Sequence, residues 1–180
     1  MFLWEVIMIN QDRIVNAFLE YVQISSPTKM EGKFAARMVE ELKALGFEVT
    51  VDGAGELLGC DTGNVIAKLK GSTGADPILF SCHMDTVSPG MDIKPIIKDG
   101  VIYSDGTTIL GGDDKAGIAA VIEAIRSIKE NDVPHGDIEV VFSIFEEGGL
   151  HGAKNLDYSN LMSKHAFVLD SGGDPGQIIV

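Results

Sequence analysis

Between Asn10 and about Ile24 the apolar residues Ile14, Val15, Phe18, Leu19 and Val22 recur at helical spacing, and Asn10 stands where a helix cap belongs. After Ser25-Ser26-Pro27 the same period returns over about residues 31–45. Phe34, Met38, Leu42 and Leu45 fall on one stripe there, and Gly46 is placed to end the helix. The period then drops to two. Phe47-Glu48-Val49-Thr50-Val51 alternates as a half-buried strand, and residues 64–69 predict another beyond a glycine-rich loop. Residues 77–82 are short and apolar, the mark of a strand buried on both faces, and residues 138–145 and 166–169 read the same way. Asp99-Gly100 joins residues 93–98 to 101–103 as a hairpin. A long helix over about residues 113–129 carries Ile118, Val121, Ile122, Ile125 and Ile128. No internal repeat, low-complexity segment or linker breaks this alternation, which predicts an α/β fold: a mixed, mostly parallel sheet covered by helices on both faces. Residues 176–180 read as a strand just beginning, and an apolar β-branched end would leave an aggregation-prone edge. The domain therefore reads as truncated.

Composition narrows the classes of function. The 180 residues carry 27 Asp plus Glu against 14 Lys plus Arg, a formal net charge of −13, with 45% hydrophobic residues. That length suits one domain or part of a larger one, and the apolar content excludes a disordered or collagen-like chain. A pI near 4.5 argues against nucleic acid, which needs a basic stripe. Cys60 and Cys82 are too few for a disulfide scaffold, and their spacing is not that of a zinc finger. No apolar run approaches the roughly 18 residues of a membrane span. The first nine residues carry Glu5 and neither a basic stretch nor a small-residue cleavage site, so no secretory leader is expected. The expectation is a soluble chain in a reducing compartment, most simply the cytoplasm.

The polar residues change the picture. Three predicted strands each run straight into metal-competent side chains: residues 80–82 into His83-Met84-Asp85, residues 143–145 into Glu146-Glu147, and residues 167–169 into Asp170. A fourth cluster, Gly111-Gly112-Asp113-Asp114-Lys115, opens the long helix. Each alone has an ordinary explanation as a cap, a turn or a solvated strand end. Together, on parallel strands, they converge on the carboxyl edge of the sheet, where open α/β sheets bind ligands. His83 and Asp85 are two apart, so an extended chain points both to one face, and Asp85 can accept the second imidazole N–H. Glu146 and Glu147 are adjacent and aim differently, which leaves one free to ligate and the other to act as a base. Histidine with carboxylates and no thiolate suits catalytic Zn²⁺, or Mn²⁺ and Co²⁺ in its place. Cys82 is turned away by strand alternation.

Ser81-Cys82-His83-Met84-Asp85-Thr86-Val87, Gly111-Gly112-Asp113-Asp114-Lys115-Ala116-Gly117, Phe145-Glu146-Glu147-Gly148 and Leu169-Asp170-Ser171-Gly172-Gly173 strongly resemble the M20 family of metallopeptidases, closest to its peptidase T-like branch. The four motifs stand in the family's order, and the resemblance runs from about Ile9 onward. It implies a phosphorylase/hydrolase-like catalytic domain with two zinc ions bridged by an aspartate. By that resemblance His83 is the first zinc's histidine, Asp85 the carboxylate that orients it, and Asp113, rather than Asp114, the bridge. Glu146 is the general base, Glu147 the second zinc's carboxylate, and Asp170 completes the first zinc. Family members also have a later histidine on the second zinc and an inserted lid domain that often dimerises. Neither lies within residues 1–180, which therefore read as a partial catalytic domain. His135 and His165 are not placed to substitute, and His151 reads as a surface-loop residue.

The resulting expectation is metal-dependent hydrolysis of an amide bond in short peptides, with homodimerisation a property of a longer protein. An N-acyl amino acid deacylase of the same family and a catalytically incomplete metal-binding fragment stand as alternatives. A nucleotide-binding domain is weaker, since the chain has neither G-x-x-x-x-G-K-[ST] nor G-x-G-x-x-G after a strand.

Overall fold

The computed structural model describes residues 9–173, so the strand expected over residues 176–180 lies outside the described residues. Helix α1 spans Gln11–Gln23, and the Asn10 side chain caps it by accepting from Arg13 N. Helix α2 spans Gly32–Ala44 and buries Phe34, Met38 and Leu42. Gly46, at φ +85°, closes it: Phe47 N donates to Leu42 O and Gly46 N to Lys43 O. That pair of bonds is the left-handed glycine stop the sequence led one to expect. Strand β1 (Glu48–Val51) follows, then a short helix α3 (Ala54–Leu58), where the sequence showed only a glycine-rich loop, and then β2 (Val65–Leu69). Next come β3 (Ile78–His83), the hairpin β4 (Pro95–Lys98) and β5 (Val101–Ser104), and α4 (Gly112–Glu130). The hairpin turns at Asp99 and Gly100, both with positive φ, as its tight turn demands. Strand β6 (Ile138–Ser143), helix α5 (His151–Lys154), a 3₁₀ turn at Tyr158–Asn160 and β7 (His165–Val168) complete the order.

The main sheet runs β1-β2-β6-β3-β7, antiparallel at β1-β2 and β2-β6 and parallel at β6-β3 and β3-β7. The sheet is mixed, and only its β6-β3-β7 half is parallel, because β2 leaves through a short connection, residues 70–77, that reverses the chain into β3. The parallel half brings the carboxyl ends of three strands to one edge.

Alternation divides the strands between two cores. Ile78, Phe80 and Cys82 of β3 and Ile138, Val140 and Phe142 of β6 face α1, α2 and α4 in the main core. Ile66, Leu79 and Val141 face the other way, against Leu156 and Leu161. Among the described residues, long helices thus cover one face, and the other carries only α5 and the segment after it. Glu123 fastens α1 to α4 by accepting from Asn10 N and Arg13.

Two burial expectations need correction. Strand β7 is exposed along its whole length rather than buried, with Phe167 at 53% and Val168 at 64% of full exposure. Among the described residues it is an edge strand paired to β3 alone, and apolar composition does not distinguish an edge from a centre. Strand β3, although it lies between β6 and β7, is only half-buried over its first four residues. Strand β6, flanked on both sides, is buried throughout. Phe142→Ala should accordingly cost roughly 3–5 kcal/mol. It should appear in urea unfolding as a lower midpoint with little change in slope.

Candidate metal centre

His83 is the last residue of β3 and points to the face away from the main core. Its Nε2 lies 2.8 Å from Asp113 Oδ1 and 3.9 Å from Asp170 Oδ1. Asp170 arrives there because Leu169 N bonds to Ser81 O, carrying the β7-β3 pairing one step past the strand. Glu146 and Glu147 leave the end of β6 beside them. Donor atoms of His83, Asp113 and Glu147 lie within 4.8 Å of one another, and so do those of His83, Glu146 and Asp170. All of the ligand positions expected from the sequence meet at the carboxyl edge. Glu146 is not set apart from them by distance, since it shares a group with Asp170.

The two adjacent aspartates part company. Asp113 and Asp114 have non-helical backbone angles at the entrance to α4 and are joined by a cis peptide bond. Asp113 is open, its side chain 67% exposed, and faces the imidazole. Asp114 turns inward, where its Oδ2 accepts from His83 N, and burial pushes its carboxyl up to about 7. Gly117 is a steric requirement of that arrangement, because a Cβ there would lie 2.2 Å from Asp114 Oδ1. Cys82 packs in the main core beside Asp114, as strand alternation required. Lys115, in the same motif, is fully buried, donating to Ile24 O at 2.7 Å over the Phe34 ring, and burial pushes its amine down to about 8.

Asp85 does more than its spacing suggested. It is fully buried, and the imidazole's Nδ1 lies nearer its main-chain oxygen, at 2.9 Å, than its carboxylate, at 3.5 Å. The carboxylate is otherwise engaged, accepting from Thr28 Oγ1 at 2.7 Å, Glu146 N at 2.9 Å and Glu147 N at 3.3 Å. Burial disfavours the Asp85 charge, but the His83 imidazole and these donors outweigh it and hold the carboxyl below its ordinary value. Thr28 carried no periodic signal, and its run of hydroxyl residues before and after a proline read only as a helix connection. In the structure that run lies against the strand end, with Ser26 Oγ on Met84 O and Pro27 bridged to Thr86. His151 stacks on Phe145 with ring centroids 4.5 Å apart and lies outside both donor groups.

The donor set fits a divalent cation. One imidazole and four carboxylates converge, and the carboxyls of Glu147 and Asp170 are pushed upward by burial and by the neighbouring negative charges, with His83 pulling the other way. A cation relieves both costs. His83 responds to the same field: burial works against its charge, but Asp85 and Asp113 raise its pKa to about 10.

The chain matches peptidase family M28 over residues 64–177. It belongs to the M20/M28-type peptidases. The four motifs resemble the M20 side of this type, while the matching family description is M28. The peptidase T-like character is carried by solved structures. Aminopeptidase PepT from Bacillus cereus ATCC 10987 is 49% identical, with a TM-score of 0.90 over 92% of this chain and 44% of that one. A tripeptidase from Staphylococcus aureus subsp. aureus Mu50 is 42% identical, with a TM-score of 0.91 over 93% of this chain and 45% of that one. The uncharacterized protein YqjE of Bacillus subtilis (strain 168) is 45% identical over 96% of this chain and 47% of its own length. The chain thus spans about half the length of the relatives it matches. Among the described residues no helix is long and apolar enough to cross a membrane.

The His83 shift has a measurable consequence in the metal-free chain. Its folded pKa of about 10 lies above the ordinary 6.5, so its stabilisation is complete below about pH 6.5 and is lost as pH rises through about 10. Lys115, lowered from 10.5 to about 8, acts in the opposite sense over part of that window. The difference between wild type and His83→Gln isolates the histidine. The wild type's advantage should shrink steadily from pH 6.5 to 10 in denaturant unfolding. A constant difference would contradict the ion pairing.

Proposed function

We propose that this chain is part of the catalytic domain of a metal-dependent peptidase that cleaves an amide bond in short peptides, with Zn²⁺ as the metal. The observation that carries the reading is the meeting of His83, Asp113, Glu146, Glu147 and Asp170 at one sheet edge. His83, Asp113 and Asp170 would hold one ion and Asp113 with Glu147 a second, Asp113 being shared. Bound there, the ions supply Lewis acidity, polarising the scissile carbonyl and lowering the pKa of a water. Glu146 takes the proton from the attacking water and returns it to the leaving amine. Asp85 fixes His83 through its main-chain oxygen and aims both glutamates through their main-chain N–H groups. The solved aminopeptidase and tripeptidase support an aminopeptidase acting on tripeptides. Coverage of 44% of the PepT chain supports reading residues 1–180 as part of a catalytic domain. The two free cysteines support a reducing, cytoplasmic setting.

A full-length enzyme containing this chain, rather than the 180 residues by themselves, which are expected to be inactive, should be assayed on tripeptides, dipeptides and N-acyl amino acids with zinc, manganese and cobalt, with metal content measured alongside. Chelation should abolish turnover, and a preference for N-acyl substrates would redirect the reading to a deacylase. Glu146→Gln should keep its metal and lose roughly 10²–10⁴-fold in kcat. Glu147→Gln should lose one metal equivalent first, its affinity falling by more than the about 10–100-fold that an outer partner's loss costs. The opposite pattern of metal loss would exchange the two roles.

A further inference from the structure

Beyond Ser143 the chain leaves the sheet through residues 144–147, and the main-chain N–H groups of all four donate to side chains. Ile144 N donates to Asn64 Oδ1 and Phe145 N to Glu31 Oε1, each at 3.0 Å, while Glu146 N and Glu147 N share the two oxygens of Asp85. The acceptors come from the start of β2, the entrance to α2 and the residues after β3. Phe145 sits at φ +47°, an unfavourable backbone for a bulky residue that only surrounding bonds can maintain.

Glu31 is the unexpected member. It occupies the N-cap position of α2 yet makes no side-chain cap bond to its own helix. Asp61 supplies that bond instead, its Oδ1 accepting from Gly32 N at 2.9 Å. The Glu31 carboxyl is fully buried; its Oε1 accepts from Lys29 N and Phe145 N, and its Oε2 has no partner among the described residues. Local helix structure does not account for a buried carboxyl that leaves its own helix to another cap. What it reaches is the turn that projects Glu146 and Glu147.

We propose that Glu31 is a positioning residue for the Glu146–Glu147 pair. Its Oε1 joins the Lys29 and Phe145 N–H groups, and so locks the loop that presents Thr28 to Asp85 onto the turn that carries both glutamates. The consequence for metal binding rests on the function proposed above; the consequence for the turn does not.

Two readouts on the 180-residue chain separate these. Glu31→Gln keeps an acceptor oxygen, Glu31→Met removes it at similar volume, and Met38→Ala, a core truncation elsewhere on α2, reports destabilisation alone. Without metal, amide exchange at Phe145, Glu146 and Glu147 should be about tenfold faster in Glu31→Met than in Met38→Ala, and near wild type in Glu31→Gln. In a Co²⁺ titration, Glu31→Met should bind about 10–100-fold more weakly, with Glu31→Gln and Met38→Ala close to wild type. Should Glu31→Met not fold, Glu31→Asp, which withdraws the carboxylate by one methylene, must show the same selective loss. Unchanged exchange at the three amides, or a Glu31→Gln as impaired as Glu31→Met, overturns the proposal. A wild type that binds no Co²⁺ defeats the metal reading, and the exchange result still decides the role of Glu31.

Discussion

A carboxylate taken out of water is costly unless its oxygens are hydrogen-bonded, and at Asp85 this chain meets that demand. Wholly removed from solvent, it is kept charged by a hydroxyl, two main-chain N–H groups and the imidazole beside it. Because those donors belong to the loop before α2 and the turn after β6, satisfying one side chain fixes three segments at once. The distance between His83 and the glutamate pair is therefore a consequence of solvating Asp85 from within the protein.

The same economy governs the neighbouring turn. Residues 144–147 point their N–H groups away from the main-chain ladder, so the strand ends there and the glutamates project from the sheet edge. Small residues make the closure possible: a Cβ at Gly152 would lie 2.1 Å from Ile144 O. Gly152 and Gly117 are in this sense part of the site, since they let main chain and a carboxylate approach where a side chain would separate them.

Charge works in the opposite direction from packing at this edge. The fold gathers Asp113, Glu146, Glu147 and Asp170 around one histidine, an arrangement with unfavourable mutual repulsion that a divalent cation reverses. Asp114, one residue from this cluster, is held out of it by its burial behind His83 and beside Cys82. Adjacent identical side chains thus acquire different chemistry from their different surroundings.

Much of this was legible in the amino-acid order, because it depends on local rules. The 3.6- and 2-residue periods, the Asn10 cap, the Gly46 stop and the Asp99-Gly100 hairpin arise from interactions between residues a few positions apart. The clustering of ligand-type residues after strands was legible for the same reason, since strand ends and ligand spacing are local. Neither the exposure of β7 nor the antiparallel half of the sheet could be read locally, because edge position depends on which strands pair. The partners of Asp85 and Glu31 were hidden likewise: Thr28 is 57 positions from Asp85, and Glu31 is 114 from Phe145. Sequence alone determined which residues would stand at the sheet edge. Tertiary structure decided how they are held, because a buried polar atom is satisfied by donors the fold brings within hydrogen-bonding distance, however distant along the chain.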